Sequence, residues 1–468
     1  MRSTAAYGAL AATGLVGARP AGAATTWVAP SNIPNDGSAN ASQALTWWLA
    51  VTGQPGDTFQ LRRGPGFAPG DYWVPQGIQI HKPLTLDLNG CWLRTGTELG
   101  FDDPNIAANK VTYPAYGPAE LGVAWPARRS VVYIGSSNVT IMSSLVHARI
   151  QGAARTVHYR GNHSVVGRNY PTGCAFHGTD MGGFGDGQHG IRIGFPGSFD
   201  DITIDLTNIG VEFVHGDGIC FGNTHHRVTV LGRHVGASVL GGVPGPHDDQ
   251  HLLASSGGGG SIAQGAGTQW IVDDPRSADR WVPDTLPLPG VHHTGRMGLS
   301  MTHNIYDVLL DGFAIWRNRT ILDLELEDED AEIDGLTMRN MEWGVRTLKA
   351  IACAGPAKGP VKNVVVENVV SYELPAIDTH QPAAHADARC QNWRIEGVRC
   401  ETGVKARADA IMKLPRIDGL QVRDCHALVK GTAVGVLTDT GSPVGHVNGP
   451  STGVVFDPAM SVQFPFTP

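Results

Sequence analysis

One short pattern limits what this chain can fold into. An Asn or Asp, once an Arg, is followed by alternating apolar residues and then often by another Asn, Asp or Gly. It reads NVTI from Asn138, DITIDLTNI from Asp201, RVTVLG from Arg227 and DVLLDGF from Asp307. It continues as DGLTMRNM from Asp334, NVVVENV from Asn363, NWRIEGV from Asn392 and DGLQVRDC from Asp418. The step from 201 to 227 is 26 residues, and from 307 onward the steps are 27, 29, 29 and 26. Alternation with period two marks strands with one buried face. A repeat of this length built from such strands and turn residues is the signature of a β-solenoid, because one coil cannot bury its inner face alone while stacked coils share a core. Asn and Asp suit the sharp turns, since they bond nearby backbone and tolerate left-handed dihedrals. Stacked along the axis, they form ladders.

A second strand precedes these in the coil. It reads HGIRIG at 189–194, DGICFG at 217–222, MGLSMT at 297–302 and ILDLEL at 321–326. Aligning Gly190, Gly218, Gly298 and Ile321 gives steps of 28, 80 and 23, and the other ladder also steps by 80 from Arg227 to Asp307. Both ladders therefore skip the same stretch. With roughly 27 residues per coil, a loop of roughly 50 is inserted, over 233–292. It holds GPHDDQH at 245–251 and SSGGGGS at 255–261, and a long insertion of this kind reads as a lid or rim beside a groove.

Near the start, ASQALTWWLAVTG at 41–53 is an amphipathic helix placed to cap the open end of the stack, with Trp47 and Trp48 as core plugs. DTFQLRRG, DYWVPQGIQIHKPLTLDLNG and CWLRTGT follow as the first strands. The expected architecture is all-β: a right-handed parallel β-helix over 31–440 with an N-terminal capping helix and a long loop insertion. A signal-like or flexible arm (1–30) precedes it and a tail (441–468) follows.

Composition agrees. The 61 Gly and 30 Pro among 468 residues supply frequent turns, and charged residues make up only 17%. The net charge of −8 argues against nucleic acid or an anionic membrane surface as the main partner, and no apolar run reaches the ~18–20 residues of a membrane span. Seven Cys without a CxxC pair give neither a zinc motif nor a complete disulfide framework. Cys390 and Cys400 are placed to pair across one coil, and most of the seven read as small buried hydrophobes. Arg2, an Ala/Gly-rich stretch and Ala21-Gly22-Ala23-Ala24 resemble a secretory signal; the alternative is an uncleaved arm of the kind a virion protein uses to attach. The expected location is extracellular or on a virion tail.

The opening NDGS…AL…PGDTFQLRRG…Y…I…PLTLDLNG resembles the entry segment of the pectate-lyase-like right-handed β-helix superfamily, which includes polygalacturonases and phage tailspikes. GRMGLSMTHNIYDVLLDGFAIW…ILDLELE is similar to a pattern common in its bacterial and phage members. The likeness covers about residues 30–440. The polygalacturonase motifs NTD, GDD, GHG and RIK are absent as a set, and HGDGI at 215–219 matches only part of one, so catalytic residues do not transfer. The resemblance implies a polysaccharide or cell-surface glycan as partner and, for a tailspike-like member, a homotrimer.

In ILDLELEDEDAEID, Leu322, Leu324 and Leu326 should face the core, leaving Asp323 and Glu325 on the solvent side of one strand. The alignment sets Ser300, Cys220 and Arg192 beside Asp323, and Thr302, Gly222 and Gly194 beside Glu325, giving a floor of small residues. Glycoside hydrolysis needs paired carboxylates, one to protonate the leaving oxygen and one to activate water or attack the sugar. Asp323 and Glu325 form the expected pair, with Asp217 a third candidate. Arg296, His293 and Arg192 are candidates for binding substrate, as is His215; with His189, His215 also suits proton carriage. The rival reading of EDEDAEID is a solvated turn, and that of Asp217 a turn residue. His225-His226 and GPHDDQH read as polar rather than metal-binding, so no metal or other cofactor is expected, although a lyase would call for Ca²⁺. Glycoside hydrolase, polysaccharide lyase and a non-catalytic glycan-binding tail component share this fold. Exposed Trp270, Trp281 or Trp316 along the groove would favour the last.

Overall fold

A computed structural model describes residues 24–94, 130–152, 158–160, 164–166, 189–234, 289–344, 349–353, 359–371, 376–378, 390–400, 410–427, 435–438 and 455–456, apart from isolated positions within these stretches. The chain is a right-handed parallel β-helix. Among the described residues most coils contribute one strand to each of three sheets; the first coil carries a helix in place of its third strand, and Ile377–Asp378, Ala410–Leu414 and Gly435–Thr438 stack as a separate three-stranded sheet. In the first sheet Phe199–Asp205, His225–Leu231, Ile305–Asp311, Ile333–Arg339, Val361–Glu367 and Cys390–Glu396 follow one another in parallel. The second sheet stacks Ile209–Glu212, Gly290–His292, Ala314–Trp316 and Glu342–Gly344. The third stacks His189–Ile193, Ile219–Phe221, Met297–Met301, Thr320–Leu324 and Lys349–Ala352.

Stacking in register turns like positions into ladders. Val308, Leu336, Val364 and Trp393 lie one above another on the inner side of the first sheet, all within one continuous core. At the outer edge of that sheet Asn138, Asp201, Arg227, Asp307, Asn363 and Asn392 hold φ of 54–57°, the left-handed region that Asn and Asp tolerate. Asn392 Nδ2 donates to Asn363 Oδ1 (3.3 Å), and Asn363 Nδ2 donates to Asp334 Oδ1 (2.6 Å). In the two DGL repeats the left-handed residue is Gly335 or Gly419, so the coil register runs through the glycine, one residue later than the Asp that opens the pattern.

The helix Ser42–Val51 caps the stack, burying Leu45, Trp48 and Leu49. Trp48 meets Phe59 edge to face at 5.1 Å. Trp47 is not a plug: it is 43% exposed, because it falls on the outer side of this short helix. Strand pairing also trims the long insertion. Gly290, Val291 and His292 pair with Gly210, Val211 and Glu212, so the coil resumes by residue 290. Residues 235–288, with GPHDDQH, Trp270 and Trp281, lie outside the described residues, as does the arm 1–23. Val455–Phe456, in the expected tail, pairs with the first-sheet strand Gln421–Arg423. Cys390 takes a hydrogen bond contact with Cys353, while the side chain of Cys400 is outside the described set. Among the described residues, no helix is long and apolar enough to cross a membrane.

Candidate functional site at the corner of the second and third sheets

On the third sheet, Tyr133, Arg192, Cys220, Ser300, Asp323 and Ala352 stand opposite one another on successive strands. Their neighbours Ile191, Ile193, Ile219, Phe221, Leu299, Met301, Leu322 and Leu324 belong to the core, so this row points away from it. The order Arg192, Cys220, Ser300, Asp323 is the one expected from the strand alignment. The expectation that Asp323 faces solvent is corrected: it points outward yet is 2% exposed, and Arg192 is 9% exposed. Alternation gives the direction of a side chain and says nothing of what overlies it.

Asp217 joins this row from the turn before Ile219–Phe221. Its carboxylate accepts from Ser300 Oγ at 2.7 Å and from the Met297 amide at 3.2 Å. His189 Nδ1 lies 3.4 Å from Asp217 Oδ2, and Arg192 Nη1 lies 3.2 Å from His189 Nε2. The Asp217 amide also donates to His189 Nδ1, at 3.1 Å. His189 and Asp217 are each 1% exposed. Asp217 is thus more than a turn residue.

Glycine makes this corner possible. A Cβ on Gly190 would lie 2.3 Å from Val211 Cγ1, and one on Gly218 would lie 2.2 Å from Val291 Cγ1. The starts of the third-sheet strands therefore press directly on the ends of second-sheet strands. Gly222 lies against Arg192: a Cβ there would come within 3.1 Å of the guanidinium.

The second sheet brings residues that the strand patterns did not single out. Glu212 follows Val211, a core residue, and points outward. Arg149 on the preceding strand puts Nε 2.6 Å from Glu212 Oε1. Its guanidinium also covers the Trp92 ring at 4.5 Å and donates to Gln151 Oε1 at 3.3 Å. Burial pushes the Glu212 carboxyl up to about 7, against the lowering effect of Arg149.

Of the residues chosen from sequence, the structure brings Asp217, Arg192 and Asp323 onto one face. Glu325, Arg296, His293 and His215 lie outside the described residues, and so does the side chain of Trp316. His292 is buried, with Nε2 2.7 Å from the Pro289 carbonyl. His225 serves the turn: its ring nitrogens lie 3.0 Å from Phe199 O and 3.1 Å from Ile193 O, and burial lowers its pKa to about 4. His189, Asp217 and Cys220 offer ligand atoms within 4.8 Å of one another, a set of types that zinc accepts, but the Arg192 cation against His189 opposes a second positive charge there.

No protein-family model matches the chain, and none of the curated proteins does. Solved structures similar to it include DFA-IIIase from Arthrobacter chlorophenolicus A6, 11% identical over 89% of this chain and 86% of that one, with a TM-score of 0.34. The same enzyme without its lid, in complex with GF2, is 12% identical over 92% and 98%, with a TM-score of 0.31. A mutant of it in complex with DFA-III gives 12%, 89% and 88%, with a TM-score of 0.29. At such identity and TM-score the likeness carries neither activity nor site residues to this chain.

Proposed function

We propose that the chain is a pectate-lyase-like β-helix enzyme that hydrolyses glycosidic bonds of a polysaccharide laid along the outer face of the third sheet. The observation that supports this most is the grouping of two outward carboxylates around Ser300. Asp217 accepts its hydroxyl at 2.7 Å, and Asp323 stands opposite it on the next strand, about 4.8 Å on. Asp217, held by two donors, is the carboxylate assigned to activate water or attack the anomeric carbon. Asp323 meets the same substrate one coil further. Arg192 and His189 extend the polar row in the other direction and suit hydroxyl or carboxylate groups of a sugar chain. A glycan substrate fits an extracellular or virion-borne setting.

The test is a digestion screen over a glycan panel with wild type, Asp217→Asn and Asp323→Asn. Wild type should release reducing ends, and Asp217→Asn should lose at least about 100-fold of that rate. Equal release by wild type and Asp217→Asn would remove this site from consideration. An ultraviolet-absorbing unsaturated product would replace hydrolysis with elimination.

A further inference from the structure

We infer that Cys353 and Cys390 form a disulfide that ties the end of a third-sheet strand to the start of the first-sheet strand one coil further on. This holds or fails independently of the hydrolase reading. On the third sheet Ile351 stands opposite Leu322 and Ala352 opposite Asp323. Cys353 therefore continues the core row Ile193, Phe221, Met301 and Leu324. On the first sheet Cys390 stands opposite Val361, in line with Ile333 and Ile305. Both rows run along the corner where a coil passes from the third sheet to the first. Earlier coils fill these two places with Met301 and Ile305, then with Leu324 and Ile333. Cysteine enters one row at Cys353 and the other row at the next coil.

The two thiols lie 37 positions apart in the chain, yet they hydrogen bond to each other, and both are buried. Thiols are weak donors and weak acceptors, so this contact alone holds the corner loosely. The stacking step between coils, about 4.8 Å, is shorter than the largest Cα separation a disulfide spans, roughly 6.8 Å. Cys400, the partner suggested by spacing, instead belongs to the second-sheet strand Arg399–Cys400. Cys91 and Cys425 donate to the backbone carbonyls of Arg62 and Arg423.

The oxidant is a small-molecule disulfide such as oxidised glutathione. The thiolate of one cysteine attacks it, and a mixed disulfide forms as one small thiol leaves with the proton that the cysteine gave up. The second cysteine then attacks the protein sulfur of that mixed disulfide. The bond between Cys353 and Cys390 forms, and a second small thiol leaves with the second proton. Two protein thiols are oxidised and one small disulfide is reduced. The Cys390 thiol and burial hold the Cys353 thiol well above its ordinary value, so the exchange is completed before the corner packs. The crosslink removes freedom from the unfolded chain and pins Ala352, which stands opposite Asp323.

The experiment makes the full-length protein by cell-free synthesis with excess oxidised glutathione and, in parallel, with a reductant. Each sample is quenched in acid, unfolded, alkylated and digested without reduction for mass spectrometry. The oxidised sample should yield one peptide pair linked through Cys353 and Cys390, with the other five of the seven cysteines alkylated. The reduced sample should yield no linked pair. Alkylation of both Cys353 and Cys390 in the oxidised sample, or a link from Cys390 to Cys400, overturns the inference. Cys400→Ser should keep the linked pair, and its loss in that variant has the same force. Stability gives a second readout. Adding reductant to the oxidised wild type should lower its thermal midpoint by roughly 5 °C and leave that of the double variant Cys353→Ala, Cys390→Ala unchanged. An equal fall in both, or none in wild type, refutes the crosslink.

Discussion

Replacing Glu212 by Gln should change how stability depends on pH, and the size of the change follows from the burial of this one carboxyl. Its value rises from 4.5 to about 7 in the folded chain. Below pH 4.5 both folded and unfolded forms are protonated there, so the wild type has its full stability. As pH rises, the unfolded chain ionises first while the folded one still holds the proton. Stability is then lost until pH passes the folded value. The difference of 2.5 between those two values, at 1.36 kcal/mol per unit, amounts to about 3 kcal/mol. Glutamine has no proton to release and shows no such slope. Its own cost, the exchange of a neutral buried carboxyl for an amide beside Arg149, does not vary with pH because arginine stays charged. The difference in unfolding free energy between variant and wild type should therefore move in favour of the variant by about 3 kcal/mol from pH 4.5 to 8. Urea unfolding followed by tryptophan fluorescence at four or five pH values measures it. A difference that stays flat, or that drifts toward the wild type, would mean that Arg149 outweighs desolvation and that the carboxyl is not held protonated.

Further substitutions probe the frame around the site. Gly218→Ala places a Cβ 2.2 Å from Val291 Cγ1 and 2.7 Å from the Gly298 carbonyl, so it should cost about 1–3 kcal/mol through overpacking, read as a lowered denaturation midpoint. Trp343 is fully buried and its indole donates to Ala376 O at 2.9 Å; Trp343→Ala should cost about 3–5 kcal/mol, and a loss under about 1 kcal/mol would contradict the packing described. Asn363 holds φ of 56° within the ladder from Asn392 to Asp334. Asn363→Ala should cost about 1–2 kcal/mol and Asn363→Gly distinctly less, since glycine adopts that conformation freely; equal losses would locate the effect in the lost hydrogen bonds instead.

Two of the three sheets were legible in the sequence. The first-sheet strands are seven residues long and alternate cleanly, as in Val361–Glu367, so period two is easy to see. The third-sheet strands carry a glycine at the corner and two or three inward apolar residues, which sufficed to align Arg192, Cys220, Ser300 and Asp323. The second sheet was not legible, because strands such as Gly290–His292 and Ala314–Trp316 span three residues, too few to show a period. Glu212 and Arg149 lie on four-residue strands of the same sheet, Ile209–Glu212 and Ala148–Gln151, which show no clear period either. A signal for further excursions was present: the first-sheet pattern steps by 63 residues from Asn138 to Asp201, far more than one coil, and the antiparallel pair His158–Arg160 and Ser164–Val166 lies in that interval.

The sequence by itself determined the coil, its register across the insertion near 235–288, and which side chains of the third sheet point outward. Those follow from local alternation and from a repeat length, both of which are properties of the chain read in order. Only the tertiary structure decided that the outward row is buried, that Asp217 reaches Ser300 at 83 residues' separation, and that Arg149 meets Glu212 across 63. These contacts depend on which strands become neighbours and on how closely two sheets meet at a corner of glycines. Desolvation of Glu212, which raises its carboxyl to about 7, exists only once that corner has closed.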